Sequence, residues 1–321
     1  MVAPILTDKD FIDLWRRKGC ATAVAEHLGM AVPAVYRRRR HMERKYQIHL
    51  DSTLRPNTAM HYKWLQPVDR AARRSLTVDD GIVLVFSDAH FWPGVRTTAF
   101  RALVTAIETM KPRAVICNGD AFDGSSISRF PRIGWDHKPG VIEELGACRD
   151  HLTEIEECAG DAQLLWPLGN HDGRFENRLA QAAPEYEGVK GFTLKDHFPK
   201  WSPCWSVWIN ESTVVKHRYK GGDYATRNNT LFAGKTIVTG HLHSLKVWPQ
   251  TDYNGDRWGV DSGTLAEPYG PQFVDYTEDN PKNWRSGFVV LTYRAGELLW
   301  PELVRVRKEG ECEFRGQVFS V

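Results

Sequence analysis

Two hydrophobic rhythms divide the chain. Between residues 8 and 46 apolar positions recur at helical spacing, whereas from Gly81 onward short unbroken apolar runs alternate with longer mixed ones. In the first stretch Phe11, Ile12, Leu14 and Trp15 form one face of a helix that Asp8 or Thr7 can cap and Gly19 stops. Residues 21–28 predict a short second helix ending at Gly29, and a third is expected from about Val32 through Tyr46. In the second stretch, residues 82–86 read as a buried parallel strand, 97–110 as its crossover helix and 114–117 as the next strand. A long helix over 141–158 leads to a third strand at 163–166. Later strands are expected around 205–209, 213–216, 236–239, 244–248, 257–260, 287–293 and 297–306. Residues 47–80, with Pro56, Pro67 and no clear period, read as a linker packed partly through Tyr62, Trp64 and Leu65. The expected organisation is a small all-α unit (1–46), a linker (47–80) and a large α/β unit (81–321).

Charge sharpens this division. Residues 1–75 hold 15 Lys and Arg against 7 Asp and Glu, and the remainder holds 27 against 33, so a basic front end precedes a mildly acidic body. That asymmetry points to a polyanion-binding appendage on a separate catalytic or structural unit. Its cations cluster on the third helix as Arg37, Arg38, Arg39, Arg40, Arg44 and Lys45. A short helix, a Gly-containing turn and a second helix make the helix-turn-helix pattern, and residues 21–30 resemble the first helix and turn of that DNA-binding family. The resemblance implies that the third helix enters the major groove of DNA. Consecutive arginines point all round a helix, so most would touch phosphate, and sequence-specific binding would call for a homodimer or help from the larger unit. The plainer alternative is a solvated basic helix used for protein contacts. The six cysteines form no C-x-x-C pair and read as reduced core thiols of an intracellular protein. The first residues lack the apolar stretch of a secretory signal, and no run of about 18 apolar residues occurs, so a cytoplasmic, non-membrane location is expected.

Candidate chemistry lies at the ends of the apolar runs. The strand at 82–86 leads into Asp88-Ala89-His90, and the strand at 114–117 into Asn118-Gly119-Asp120-Ala121-Phe122-Asp123. The third strand leads into Gly169-Asn170-His171-Asp172. Val214-Val215-Lys216 ends in His217, and Ile237-Val238-Thr239 in Gly240-His241-Leu242-His243. Open α/β sheets collect functional groups at such carboxyl ends. Five clusters in this order make a chance arrangement a poor explanation.

This series resembles the calcineurin-like metallophosphoesterase superfamily, whose signature is D-x-H, G-D-x-x-D, G-N-H-[DE], a lone His and G-H-x-H. The resemblance covers roughly residues 81–306. It implies a four-layer sandwich of two mixed sheets flanked by helices, with the active site at the strand ends. Two divalent ions about 3.5–4 Å apart would neutralise phosphate charge and hold a shared hydroxide in line with phosphorus. Carried over by position, Asp88, His90 and His243 would hold one ion, Asn170, His217 and His241 the other, and Asp120 would bridge both. His171, left unligated, is implied as general acid for the leaving oxygen, with Asp123 fixing its ring. Asp172 either supports a ligand from behind or caps a helix beginning near Arg174. The mixed oxygen and nitrogen donors favour Mn2+ first, with Fe or Zn as alternatives.

Departures from the pattern narrow the substrate. Gly124 stands where the protein Ser/Thr phosphatase branch commonly has a phosphate-clamping Arg, while Gly119-Asp120-Ala121-Phe122-Asp123 is similar to the G-D-L-F-D of the DNA-repair nuclease branch. Arg218 follows His217 where many relatives have Gly, placing a cation near the metals or simply in solvent. Residues 124–140 (with Arg129, Arg132, Trp135, His137 and Lys138) and 265–286 (with Tyr269, Phe273, Tyr276 and Trp284) are candidate substrate loops, or structural covers. The leading expectation is a DNA nuclease or nucleic-acid phosphodiesterase, by analogy of architecture from a prokaryotic or phage setting. The alternatives are a small-molecule or nucleotide phosphatase or phosphodiesterase, and a DNA-binding regulator that keeps the phosphoesterase unit as a scaffold.

Overall fold

The computed structural model describes residues 6–50, 73–130, 135 and 137–321, without the side chains of 275 and 276. Tyr62, Trp64, Leu65, Arg132 and the side chain of Tyr276 therefore lie outside the described residues. The chain divides into two compact units, Met1–Asp69 and Arg70–Val321.

The first unit holds α1 (Asp8–Lys18), α2 (Ala21–Leu28) and α3 (Val32–Tyr46). The Thr7 side chain caps α1 by accepting from the Asp10 amide at 3.2 Å. Gly19 and Gly29 end α1 and α2 in the left-handed region, at φ 70° and 62°. Phe11, Leu14, Trp15, Val24, Val35 and Met42 form the core. Three α3 cations are tied to partners within the unit instead of projecting freely. Arg38 donates to the Leu6 carbonyl and lies 5.0 Å over the Phe11 ring. Arg39 pairs with Glu43 at 3.0 Å and lies 5.0 Å over Trp15, while Lys45 pairs with Asp8 at 2.7 Å. Arg44 Nε donates to the Arg40 carbonyl at 3.2 Å. The guanidinium groups of Arg37 and Arg40 are exposed and make no ion pair among the described residues.

The second unit is built on β1 (Arg74–Leu76), β2 (Gly81–Phe86), β3 (Ala114–Cys117), β4 (Gln163–Pro167), β5 (Ser202–Cys204), β6 (Val207–Ile209), β7 (Thr213–Val215) and β8 (Thr236–Thr239). It continues with β9 (Lys246–Asp252), β10 (Gly255–Asp261), β11 (Gly287–Arg294), β12 (Glu297–Leu298), β13 (Glu302–Lys308), β14 (Glu311–Phe314) and β15 (Gln317–Ser320). Its helices are α4 (Thr98–Met110), α5 (Val141–Ala159), α6 (Asp172–Ala182), α7 (Leu194–His197), α8 (Ala225–Ala233) and α9 (Val274–Thr277). One mixed sheet runs β15-β14-β13-β11-β2-β3-β4-β5, with β12 beside β11, and the other runs β1-β6-β7-β8-β10-β9.

The unbroken apolar runs have a simple cause. Successive side chains of β2 point to opposite faces, so Val83 and Val85 pack between the sheets with Val215, Val238 and Val260. Leu84 and Phe86 point the other way, under Phe100 and Leu103 of α4 and Leu152 of α5. A side chain buried this fully contributes about 1.5–3 kcal/mol. Helix α8 packs on the outer face of the second sheet, against β8, β9 and β10, completing two sheets flanked by helices.

Several boundaries differ from the sequence expectation. Residues 74–76, inside the stretch read as linker, form β1, which pairs in parallel with β6. The strand expected at 205–209 starts at Val207, after a break at the half-exposed Trp205. The run at 297–306 is split at Pro301, which has no N–H to give a ladder. Helix α6 begins at Asp172, two residues before the expected start. Among the described residues no helix is long and apolar enough to cross a membrane.

Candidate metal centre

The loops leaving β2 and β3 run side by side. The amides of Asp88, His90 and Phe91 bond the carbonyls of Gly119, Asp120 and Ala121, each at 2.9 Å. Five site residues turn with positive φ: Asp88 (51°), His90 (40°), Asp120 (54°), His241 (73°) and His243 (56°). Each such turn costs a non-glycine residue about 1–3 kcal/mol, and their concentration here marks a functional site. Three glycines let the side chains converge. A Cβ on Gly119 would stand 2.4 Å from Nδ1 of His217, one on Gly169 2.0 Å from Oδ1 of Asp120, and one on Gly240 2.6 Å from Oδ2 of Asp88.

The seven anticipated ligands meet at this rim. Donor atoms of Asp88, His90 and His243 lie within 4.8 Å of one another, as do those of Asp120, His217 and His241. The Asn170 Oδ1 is buried without a hydrogen-bond partner, and the residue lines the same cleft. His90 Nε2 and His243 Nδ1 are also buried and unpartnered, and His217 Nε2 faces the Asp120 carboxylate at 3.1 Å. Three orphaned acceptors or donors in one place cost too much to be left so, and divalent ions would satisfy them. Outer contacts fix the ring orientations: His217 Nδ1 bonds the Asn118 carbonyl at 2.8 Å, and His90 Nδ1 bonds Asp123 Oδ1 at 2.8 Å. The residues present fit a pair of metal ions.

Electrostatics say the same. Burial opposes ionisation of Asp120, yet His217 and His171 hold its carboxyl well below the usual range. Burial likewise works against Asp88, but His243 and His217 bring it down to about 2. His217, which burial alone would discharge, is drawn up to about 10 by Asp120 and Asp88. Such a site demands positive charge, as a proton or as a metal ion.

His171 stands beside this cluster. Its Nδ1 lies 2.8 Å from Asp123 Oδ1, the oxygen that also receives His90. Burial lowers its proton affinity, but Asp120 and Asp123 raise it on balance. Its Nε2 meets the Arg174 guanidinium at 3.1 Å, and Arg174 also donates to the Asp123 carbonyl at 2.9 Å. Gly124 leaves space for this arginine, since a Cβ there would stand 3.2 Å from the Arg174 Cβ.

Asp172 does more than begin a helix. Its Oδ2 accepts from the Asp120 amide (2.8 Å), the Gly169 amide (2.8 Å) and Trp166 Nε1 (3.0 Å), and its Oδ1 from the Ala121 and Phe122 amides (3.1 and 3.2 Å). One carboxylate thus ties the β3 loop to the β4 loop.

A cleft of about 640 Å³ opens over the ligands. Arg129 and Arg218 line it, as do Phe130, Phe273 and Trp284 from the two candidate loops. Arg174, Asn177, Arg178 and Gln181 of α6 line it too, and sequence reasoning did not single them out as substrate contacts. Their spacing at i, i+3, i+4 and i+7 was the available signal. The six cations of α3 belong to the other unit.

A family model described as calcineurin-like phosphoesterase matches residues 82–261. A search of curated proteins found no match. Among solved structures the chain is similar to Vps29 of Chaetomium thermophilum, with 8% identity, 75% of this chain and 98% of that one covered, and a TM-score of 0.39. It is also similar to a dimetal phosphatase from Danio rerio (10% identity, 76% and 99% covered, TM-score 0.37). A third likeness is to Yfce, a phosphoesterase from E. coli (14% identity, 68% and 97% covered, TM-score 0.32).

Proposed function

As the chain belongs to the calcineurin-like phosphoesterase family, we propose that this metal-dependent phosphoesterase cleaves phosphodiester bonds in nucleic acid, DNA foremost. The observation that carries the reading is the set of four arginines, Arg129, Arg174, Arg178 and Arg218, lining one cleft with the metal ligands. One phosphate at the metals needs one or two of them. Four, with Phe130 and Trp284 beside them, suit a polyanion that also carries bases to stack.

Asp88, His90 and His243 would hold one divalent ion, Asn170, His217 and His241 the second, with Asp120 between them; manganese suits this mixture of oxygen and nitrogen donors. Bound ions would neutralise phosphoryl charge and make water a competent nucleophile at neutral pH. His171 delivers a proton to the leaving oxygen, and Asp123 holds its ring at Nδ1. For Nε2 to serve as donor, Arg174 must turn from the histidine, and the substrate phosphate offers it a better partner. The exposed Arg37, Arg40 and Arg44 of α3 would bring the enzyme to DNA through phosphate contacts.

The test is a substrate panel with manganese: a chromogenic diester, a chromogenic monoester, and labelled single- and double-stranded DNA. Cleavage of the diester and of DNA is expected. Robust monoester turnover with intact DNA would replace this reading with a small-molecule phosphatase.

A further inference from the structure

We propose that the cleft-facing side of α6 is a subsite for the phosphate backbone of a polynucleotide strand, gripping phosphates next to the one being cleaved. The inference rests on the nucleic-acid reading above and adds where the strand runs.

Helix α6 has two unlike faces. Phe175 is buried in the core and Leu179 packs against it. Arg174, Asn177, Arg178 and Gln181 line the opposite side, along the cleft. All four carry N–H donors and none carries a negative charge, which suits an anionic ligand such as phosphate. Glu176 lies off the stripe, where its carboxylate accepts from the Leu194 amide at 3.4 Å.

The stripe is graded by distance from the reacting centre. Arg174 is at the near end, pinned to His171 Nε2 and the Asp123 carbonyl. Arg178 is about 6 Å farther along the axis and Gln181 about 10 Å, from the rise of an α-helix. The step of about 6 Å between the two arginines suits neighbouring phosphates of an extended strand. Arg178 is exposed and makes no hydrogen bond or ion pair among the described residues. A phosphomonoester at the metals would leave Arg178 and Gln181 without a partner, whereas a strand would fill both. Arg218, next to His217, and Arg129, beside Phe130, line the same cleft, so the cations of α6 are not alone there.

The experiment compares kcat/KM for a thymidine nitrophenyl diester and for a short single-stranded DNA oligonucleotide, using the full chain with manganese. Wild type, Arg178→Gln, Arg178→Lys and Gln181→Ala are measured. For Arg178→Gln, the loss on the oligonucleotide should exceed the loss on the mononucleoside diester by about tenfold and fall mainly on KM. The log–log salt slope for the oligonucleotide should flatten by about 0.7, as when one phosphate of a single strand is no longer neutralised. Arg178→Lys should recover part of the difference. Equal losses on both substrates, or no loss on either, would overturn the subsite while leaving DNA cleavage by wild type intact. A wild-type enzyme that turns over the small diester but not the oligonucleotide would overturn the subsite and the nucleic-acid reading together.

Discussion

His217 presents Nε2 to the Oδ2 of Asp120 at 3.1 Å while its Nδ1 is bonded to the Asn118 carbonyl at 2.8 Å. With Nδ1 supplying the ring proton, Nε2 and the carboxylate are two acceptors face to face. They repel unless a proton or a metal ion stands between them. Metal should therefore stabilise the fold. At a manganese concentration 100 times the dissociation constant, linkage gives about 2.7 kcal/mol. A thermal melt of wild type should shift upward with manganese, and that of Asp120→Asn should shift less. Equal shifts in both would remove Asp120 from the centre.

Asp172 supports the centre from behind. Each of its oxygens accepts at least two N–H groups, so the NH2 of an Asn would face donors whichever way it turned. Asp172→Asn should cost about 1–3 kcal/mol for each donor left stranded. Urea unfolding should show the lost stability, and calorimetry should show weaker manganese binding. Unchanged stability would mean that the carboxylate is not what ties the two loops.

Glu144 gives a pH dependence apart from the metals. It is fully buried on α5, and its Oε1 accepts from the amide and hydroxyl of Ser125, just beyond Gly124. Burial, aided by the Asp123 charge, pushes its carboxyl from 4.5 up to about 7 despite the Ser125 bonds. The folded state then holds a proton that the unfolded chain gives up. Its contribution is fully present below about pH 4.5 and is lost as pH rises through 7. The loss is on the order of 3 kcal/mol. Glu144→Gln, which cannot ionise, should flatten this part of the profile in urea unfolding between pH 5 and 8. A wild-type profile already flat there would show that Glu144 is charged in the fold.

The α3 arginines divide into two sorts. Replacing Arg37 and Arg40 with Gln should weaken DNA binding and flatten its salt dependence, by about 0.9 in slope for each duplex phosphate no longer neutralised. Replacing Arg38 or Arg39 should instead lower stability, because their stems and charges cover Phe11 and Trp15. Anisotropy titrations beside thermal melts separate the two. DNA affinity indifferent to Arg37 and Arg40 would take DNA binding away from this helix.

Much of the site could be read from the chain because each cluster follows an apolar run that ends where its strand ends. Asp88, Asp120 and His241 therefore announce themselves. The α6 face does not, since Arg174, Asn177, Arg178 and Gln181 look in sequence like any solvated helix face until a cleft is seen beside them. For Asp172 the sequence leaves support of a ligand from behind and a helix cap both open, because its five donors come from loops that only the fold brings near. Strand β1 was hidden for another reason: three residues, Arg74-Ser75-Leu76, are too few to show a period. That consecutive arginines point all round α3 is legible in the sequence, but which two turn inward is not, because Phe11 and Trp15, which Arg38 and Arg39 cover, come from another helix.

The most direct measurement is the number of manganese ions bound per chain, by calorimetric titration of metal-free protein checked by elemental analysis. Asp88, His90 and His243 on one side of Asp120, with Asn170, His217 and His241 on the other, predict two. Asp120→Asn should hold one or none. A wild-type chain that binds no manganese, or one ion regardless of Asp120, would contradict the account.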